Sequence, residues 1–201
     1  MLKLYYVPKT RATRPRWVLE ELGVPYDLVR LEPGPAGTRG EDHLTRHPLG
    51  HVPVLEDRGQ FIFESGAICM HLADLFPDKR LLPPPGSVDR ALAYQWVLFA
   101  MSEMEPPLVA GYEQSKKPEA ERSTAAVAAA KGAFGQTVAT LEKALAGRKY
   151  LLGDSFSVAD VMVGATLAWG RAMKLMPGAP AVDAYLARLR ERPAWQRALA
   201  D

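Results

Sequence analysis

The chain reads as an α+β protein: a small mixed unit of order βαβαββα, then an all-α domain. Three observations predict it. Short alternating runs rich in Leu, Tyr, Val and Phe are confined to positions before residue 64. A proline-rich stretch, Phe76-Pro77 through Pro83-Pro84-Pro85-Gly86, then interrupts the chain. Beyond it the apolar residues recur at helical spacing. These features place a first domain at 1–78, a linker at 79–86 and an all-α domain at 87–201.

Each element has a local reason. Residues 2–7 alternate as a strand, and Pro8 ends it. Thr13 is expected to cap a helix, with Pro15 in its first turn, an apolar face of Trp17, Val18 and Leu22, and Gly23 as its stop. Residues 25–31 read as a second strand. The Pro/Gly-rich segment 33–40 is a loop. It is not a phosphate cradle, because no helix opening on Lys-Ser/Thr follows. A short helix is expected over 41–47. Val54–Glu56 and Gln60–Phe63 form a hairpin across Asp57-Arg58-Gly59. A helix over Ser65–Leu75 closes the unit.

In the second domain, Ser87 caps a long helix carrying Leu92, Trp96 and Phe99, which Pro106-Pro107 should kink or end. A further helix is expected over about 118–146. Ser157-Val158-Ala159-Asp160 is a capping box with Asp at its third position. The helix it opens is apolar on nearly every side and should be central. Two short helices, near 182–190 and 193–200, finish the chain.

Composition narrows the function classes. The 201 residues are 48% hydrophobic with a net charge of +2, enough for a sizeable core and no sign of global disorder. Charge is balanced in both halves, so nucleic acid is not an expected partner. No run of about 18 apolar residues suggests a membrane span. The amino-terminal residues lack a signal-peptide core. The single cysteine, Cys69, excludes an intrachain disulfide framework and reads as a buried structural thiol. The expected location is cytoplasmic. His43, His47 and His51 share a four-residue spacing, but Pro48 and Gly50 break any helix that would align them, so no metal is expected.

The segment Gly50-His51-Val52-Pro53-Val54-Leu55, followed by Phe63-Glu64-Ser65-Gly66, is the most specific signal. Proline inside a strand-like run belongs at an edge, a strand start or a bulge, and X-Pro is the bond at which a cis peptide is cheap. A cis Val52-Pro53 leaves the Val52 N–H and C=O able to pair with a small extended peptide, as an added strand would. Ser65, near a helix N-terminus, suits that peptide's carboxylate. Glu64 suits its ammonium group.

With these elements stand Lys3-Leu4-Tyr5-Tyr6-Val7-Pro8, then Arg14-Pro15-Arg16-Trp17-Val18-Leu19-Glu20-Glu21-Leu22-Gly23-Val24-Pro25-Tyr26, and far downstream Gly153-Asp154-Ser155-Phe156-Ser157-Val158-Ala159-Asp160. Together they resemble the soluble glutathione S-transferases, of a bacterial theta-, nu- or beta-like kind. The resemblance covers nearly the whole chain. It implies a thioredoxin-like first domain and a helical second domain carrying the electrophile pocket. It implies glutathione as co-substrate and a homodimer.

It also assigns residues. Aligning on Arg14 puts Thr10 where theta- and nu-like relatives carry Ser or Thr, so Thr10 is the expected hydrogen-bond donor to the thiolate. Arg11, near the cysteine of beta-like relatives, would add positive potential. Val52 and Pro53 would hold the cysteinyl backbone, Glu64 and Ser65 the γ-glutamyl end. His51 and His43 would hold the glycyl carboxylate. Trp96, Met104, Trp169 and Met173 are the expected second-substrate pocket, Met being adaptable at apolar sites. Arg14 and Arg16 could pair with acids on the second domain or on a partner chain, or be exposed helix charges.

The expected activity is conjugation of the glutathione thiolate to small apolar electrophiles. A glutathione-dependent isomerase, dehalogenase or disulfide reductase is the second enzyme class; a non-catalytic binding module is the third. Mixed-disulfide chemistry needs a nucleophilic cysteine in the first loop, and the loop has none.

Overall fold

The computed structural model describes residues 1–200. Two compact units divide the chain: Met1–Leu82 together with the segment from Glu191, and Pro83–Arg190.

The first unit carries β1 (Leu2–Tyr6), α1 (Thr13–Leu22), β2 (Tyr26–Arg30), α2 (Glu41–Leu44), β3 (Val54–Asp57), β4 (Gln60–Phe63) and α3 (Ser65–Leu75). This is the expected βαβαββα order. The four strands form one mixed sheet in the order β2-β1-β3-β4. β1 runs parallel to β2 and antiparallel to β3, with Leu4 opposite both Leu28 and Leu55. A parallel neighbour needs a crossover, and α1 supplies it. The hairpin turn is two residues, not three: Asp57 stays in β3, and Arg58 and Gly59 both take left-handed φ, 51° and 77°. That is the turn whose twist matches the flanking strands. The core side chains are Leu4, Trp17, Val18, Leu19, Leu22, Leu55, Ile68 and Leu72, none of them solvent-exposed.

Two local expectations are corrected here. Thr13 does not cap α1. It is the first helical residue, Ala12 is the cap position, and no side chain caps it. The short second helix spans four residues, not seven, ahead of Pro48 and Gly50. Gly23 does end α1 in the left-handed conformation, φ 65°, its N–H bonded to Leu19 C=O.

The segment from Glu191 holds α9 (Pro193–Ala198), which packs on α1. Trp195 meets Trp17 edge to face, ring centroids 4.6 Å apart. Arg192 grips the Glu21 carboxylate with two hydrogen bonds of 2.6 and 2.8 Å, and Arg197 donates to Glu20 at 2.5 Å. A second domain of 87–201 therefore differs from the observed division: its last helix folds with the first unit, because Trp195, Arg192 and Arg197 each engage a residue of α1.

The second unit contains α4 (Val88–Phe99), a π turn (Ala100–Met104), α5 (Glu105–Ser115), α6 (Thr124–Leu145), α7 (Val158–Ala172) and α8 (Pro180–Arg190). Ser87 caps α4 by accepting the Arg90 N–H at 3.2 Å. Pro106 and Pro107 lie in the first turn of α5, immediately after the π turn, where the backbone hydrogen-bond pattern changes. α7 is the central helix. Its capping box is complete: Ser157 accepts from Ala159 N–H, and the Asp160 carboxylate accepts from Ser157 N–H at 2.8 Å. Asp160 also takes Leu151 N–H at 3.0 Å and Tyr185 O–H at 2.9 Å. Burial pushes this carboxyl up, against those donors. No helix among the described residues is long and apolar enough to cross a membrane.

Candidate functional site

Every residue proposed for peptide binding lies in the first unit. The Val52–Pro53 bond is cis. Val52 lies just outside β3, and neither its N–H nor its C=O has a hydrogen-bond partner among the described residues. A backbone donor and acceptor left open beside a sheet form a template for one more extended segment.

The loop entering this point is built by two histidines. His47 is buried; its Nδ1 accepts the Leu49 N–H at 3.1 Å. His43 is 1% exposed, and its Nε2 donates to the His51 carbonyl at 2.7 Å. This corrects the expectation for His43. Its Nε2 is committed to the residue 51 carbonyl, so it holds that backbone in place rather than a ligand carboxylate. His47 lies between His51 and Phe63, at ring distances of 5.3 and 4.8 Å. Burial, then the neighbouring His51 and His43, lowers its pKa. Gly50 is required here: φ is +61°, and a Cβ would come 2.4 Å from Thr38 C=O. His51 itself is exposed. Among the described residues no three His, Cys, Asp or Glu side chains group as metal ligands.

At the start of α3, Glu64 is the cap residue, with a left-handed φ of 71°, and its side chain is exposed. Ser65 follows as the first helical residue, 2% exposed. Its hydroxyl does not cap the helix. It accepts a hydrogen bond from Arg14 Nη1 at 3.2 Å. Arg14, itself buried, thus joins the first turn of α1 to the first turn of α3. Sequence reasoning placed Arg14 only as a surface charge or a distant ion-pair partner. Spacing along the chain carried no signal for a contact spanning 51 residues.

Thr10 lies in the turn before α1. Its hydroxyl donates to Val7 C=O at 2.7 Å and accepts Ala12 N–H at 3.3 Å. The side chain thus shapes the turn that presents the amino end of α1. Arg11 beside it is exposed.

The four expected pocket residues lie in the second unit and do not form one set. Met104 is fully buried in the π turn, so it is a core residue, not a pocket wall. Trp96 stacks edge-on against Phe99 of its own helix, 5.5 Å between centroids. Trp169 meets Tyr112 of α5 at 6.4 Å. Met173 comes close to Gly111, its Cε 3.5 Å from where a Cβ would stand. Trp169, near the end of α7, and Met173, its C-cap, therefore both lie toward α5.

Comparison with known proteins bears on this geometry. Residues 1–74 match the glutathione S-transferase N-terminal domain and 124–188 the C-terminal domain. A glutathione S-transferase of Hyoscyamus muticus is 30% identical over 190 residues, covering 90% of this chain and 89% of the relative. This chain belongs to the glutathione S-transferase family. Solved structures agree. A glutathione transferase from Methylococcus capsulatus superimposes with a TM-score of 0.88 at 31% identity, over 100% of this chain and 98% of that one. A sphingomonad glutathione S-transferase complexed with glutathione gives 0.86 at 33% identity, over 98% and 97%. The transferase's first unit is thus the family's thioredoxin-like domain, and its second the helical domain.

Proposed function

We propose that this glutathione transferase binds reduced glutathione as an added β-segment on Val52 and conjugates its sulfur to small apolar electrophiles. The open N–H and C=O of Val52, beside the amino end of α3, are the observation that carries it. Ser65 and the α3 N-terminus take the γ-glutamyl carboxylate, and Glu64 the ammonium group. His51 takes the glycyl carboxylate, with His43 positioning its backbone. The sulfur lies toward the amino end of α1. There the helix dipole lowers the thiol pKa from its free value of about 8.5.

The thiol loses its proton to solvent. The thiolate attacks an electrophilic carbon, the C–S bond forms, and the leaving group departs with the electron pair. Catalysis is thiolate stabilisation plus proximity. Arg11 adds positive potential. Trp169 and Met173 support an apolar second-substrate surface, with Trp96 as a further member. Exposed Leu49, Phe61 and Phe63 in one unit, and Val88, Leu92 and Leu98 in the other, support a homodimer. A cytosolic location fits the single buried thiol.

Thr10 is the proposed thiolate donor, but its only proton is engaged with Val7 C=O, so donation requires the hydroxyl to rotate. That bond favours a second reading, in which Thr10 only shapes the turn and backbone N–H groups hold the sulfur. Steady-state kinetics and ultraviolet titration of bound thiolate decide between them. Thr10→Ala is expected to lower kcat/KM about tenfold or more and raise the bound thiol pKa, with Thr10→Ser near wild type. An unchanged pKa in Thr10→Ala assigns the role to the backbone. Calorimetry showing no glutathione binding at millimolar concentration overturns the whole proposal.

A further inference from the structure

We propose that Arg14 is a positioning residue for γ-glutamyl recognition: it occupies one side of the Ser65 hydroxyl oxygen and keeps the proton off that side, available to the ligand carboxylate. The inference rests on the reading of Ser65 as the γ-glutamyl carboxylate site. A serine hydroxyl has one proton and two lone pairs. Alone, it rotates, and it can offer a carboxylate either the proton or a repelling lone pair. Here a lone pair is occupied by Arg14 Nη1 at 3.2 Å. Both partners are buried, each 2% exposed, so water does not compete freely for the bond. The Ser65 O–H has no acceptor among the described residues. With one position around the oxygen taken by a cation, the proton is kept off that side and remains available for donation to the ligand.

The arrangement adds a second effect. A guanidinium bonded to a hydroxyl oxygen draws electron density from it and strengthens the O–H as a donor, as in any hydrogen-bond chain. The buried positive charge also attracts the same carboxylate that Ser65 and the α3 N-terminus receive. Arg14 never has to touch glutathione to contribute; it acts through Ser65. Lysine would not substitute fully, because a compact ammonium on a flexible stem does not hold one N–H in a fixed direction as the planar guanidinium does.

The test compares two peptides by calorimetry: glutathione, and 4-aminobutanoyl-Cys-Gly, which keeps the ammonium group but lacks the γ-glutamyl carboxylate. In wild type, glutathione is expected to bind the more tightly. Arg14→Met is expected to weaken glutathione by about tenfold or more and to leave the decarboxylated peptide within about twofold, collapsing the selectivity. The double variant Arg14→Met/Ser65→Ala should be no worse toward glutathione than the poorer single variant, since both remove one device. Equal losses for both peptides in Arg14→Met, or losses that add in the double variant, overturn the proposal. Should Arg14→Met fail to fold, Arg14→Lys carries the test: a selective loss for glutathione supports it, and an unchanged selectivity overturns it. The underlying reading fails separately, and visibly, if Ser65→Ala itself binds both peptides as wild type does.

Discussion

Cys69 lies on α3 with no solvent exposure, and burial pushes its thiol up to about 12 despite the nearby Arg14 cation. Since the thiolate is the reactive form, it is inert in the folded protein. Mass spectrometry after iodoacetamide at about pH 8 should find Cys69 unmodified in native protein and fully labelled in denaturant; rapid native labelling would contradict the burial. Asp57 behaves in the opposite way. A hydrogen bond from His71 Nε2 at 3.0 Å, with the Arg58 charge, holds its carboxyl below the usual carboxylate range. A depressed folded-state pKa stabilises the fold above the ordinary carboxylate range, and that contribution disappears as pH falls through the depressed value. Asp57→Asn should therefore cost at most about 1 kcal/mol at pH 7, the pair being near the surface. In urea melts the cost should shrink as pH falls through the depressed value, because wild-type Asp57 then becomes protonated too.

At the level of elements, close helix contacts rest on small residues. Gly170 of α7 lies against Phe134 of α6: a Cβ there would stand 2.3 Å from the ring's Cε1. Phe134 is fully buried and cannot swing aside. Gly170→Ala should gain helix propensity yet lose about 1–3 kcal/mol through overpacking, a net destabilisation in denaturant melts. A net gain would mean the ring relocates freely. The amino end of α8 shows another way an element is held. Its Ala181 and Val182 N–H groups donate to the Glu142 carboxylate of α6, both at 3.0 Å. The capping box of α7 was legible because its bonds join residues three apart. The Glu142 cap was not, because about 40 residues separate the partners.

For the whole molecule, the assembly is the main expectation. Sedimentation velocity at micromolar concentration should give a two-fold dimer, and replacing Phe61 and Leu98 by Glu should shift it toward monomer. A monomer at all concentrations would leave those exposed apolar side chains without an occupant. The sequence alone determined the strand and helix order, the cis-proline loop, the Ser87 and Ser157 caps, and the residues proposed for glutathione binding at 51–53 and 64–65. Those features are written in bonds between near neighbours, in proline and glycine dihedral limits, and in apolar periodicity. Tertiary structure decided that α9 returns to α1, that Met104 is core, that His43 props the loop, and that Arg14 bonds to Ser65. Each of these depends on which distant side chains come within a few ångströms of one another in the interior, and burial, not residue type, then sets what an arginine, a histidine or a methionine does.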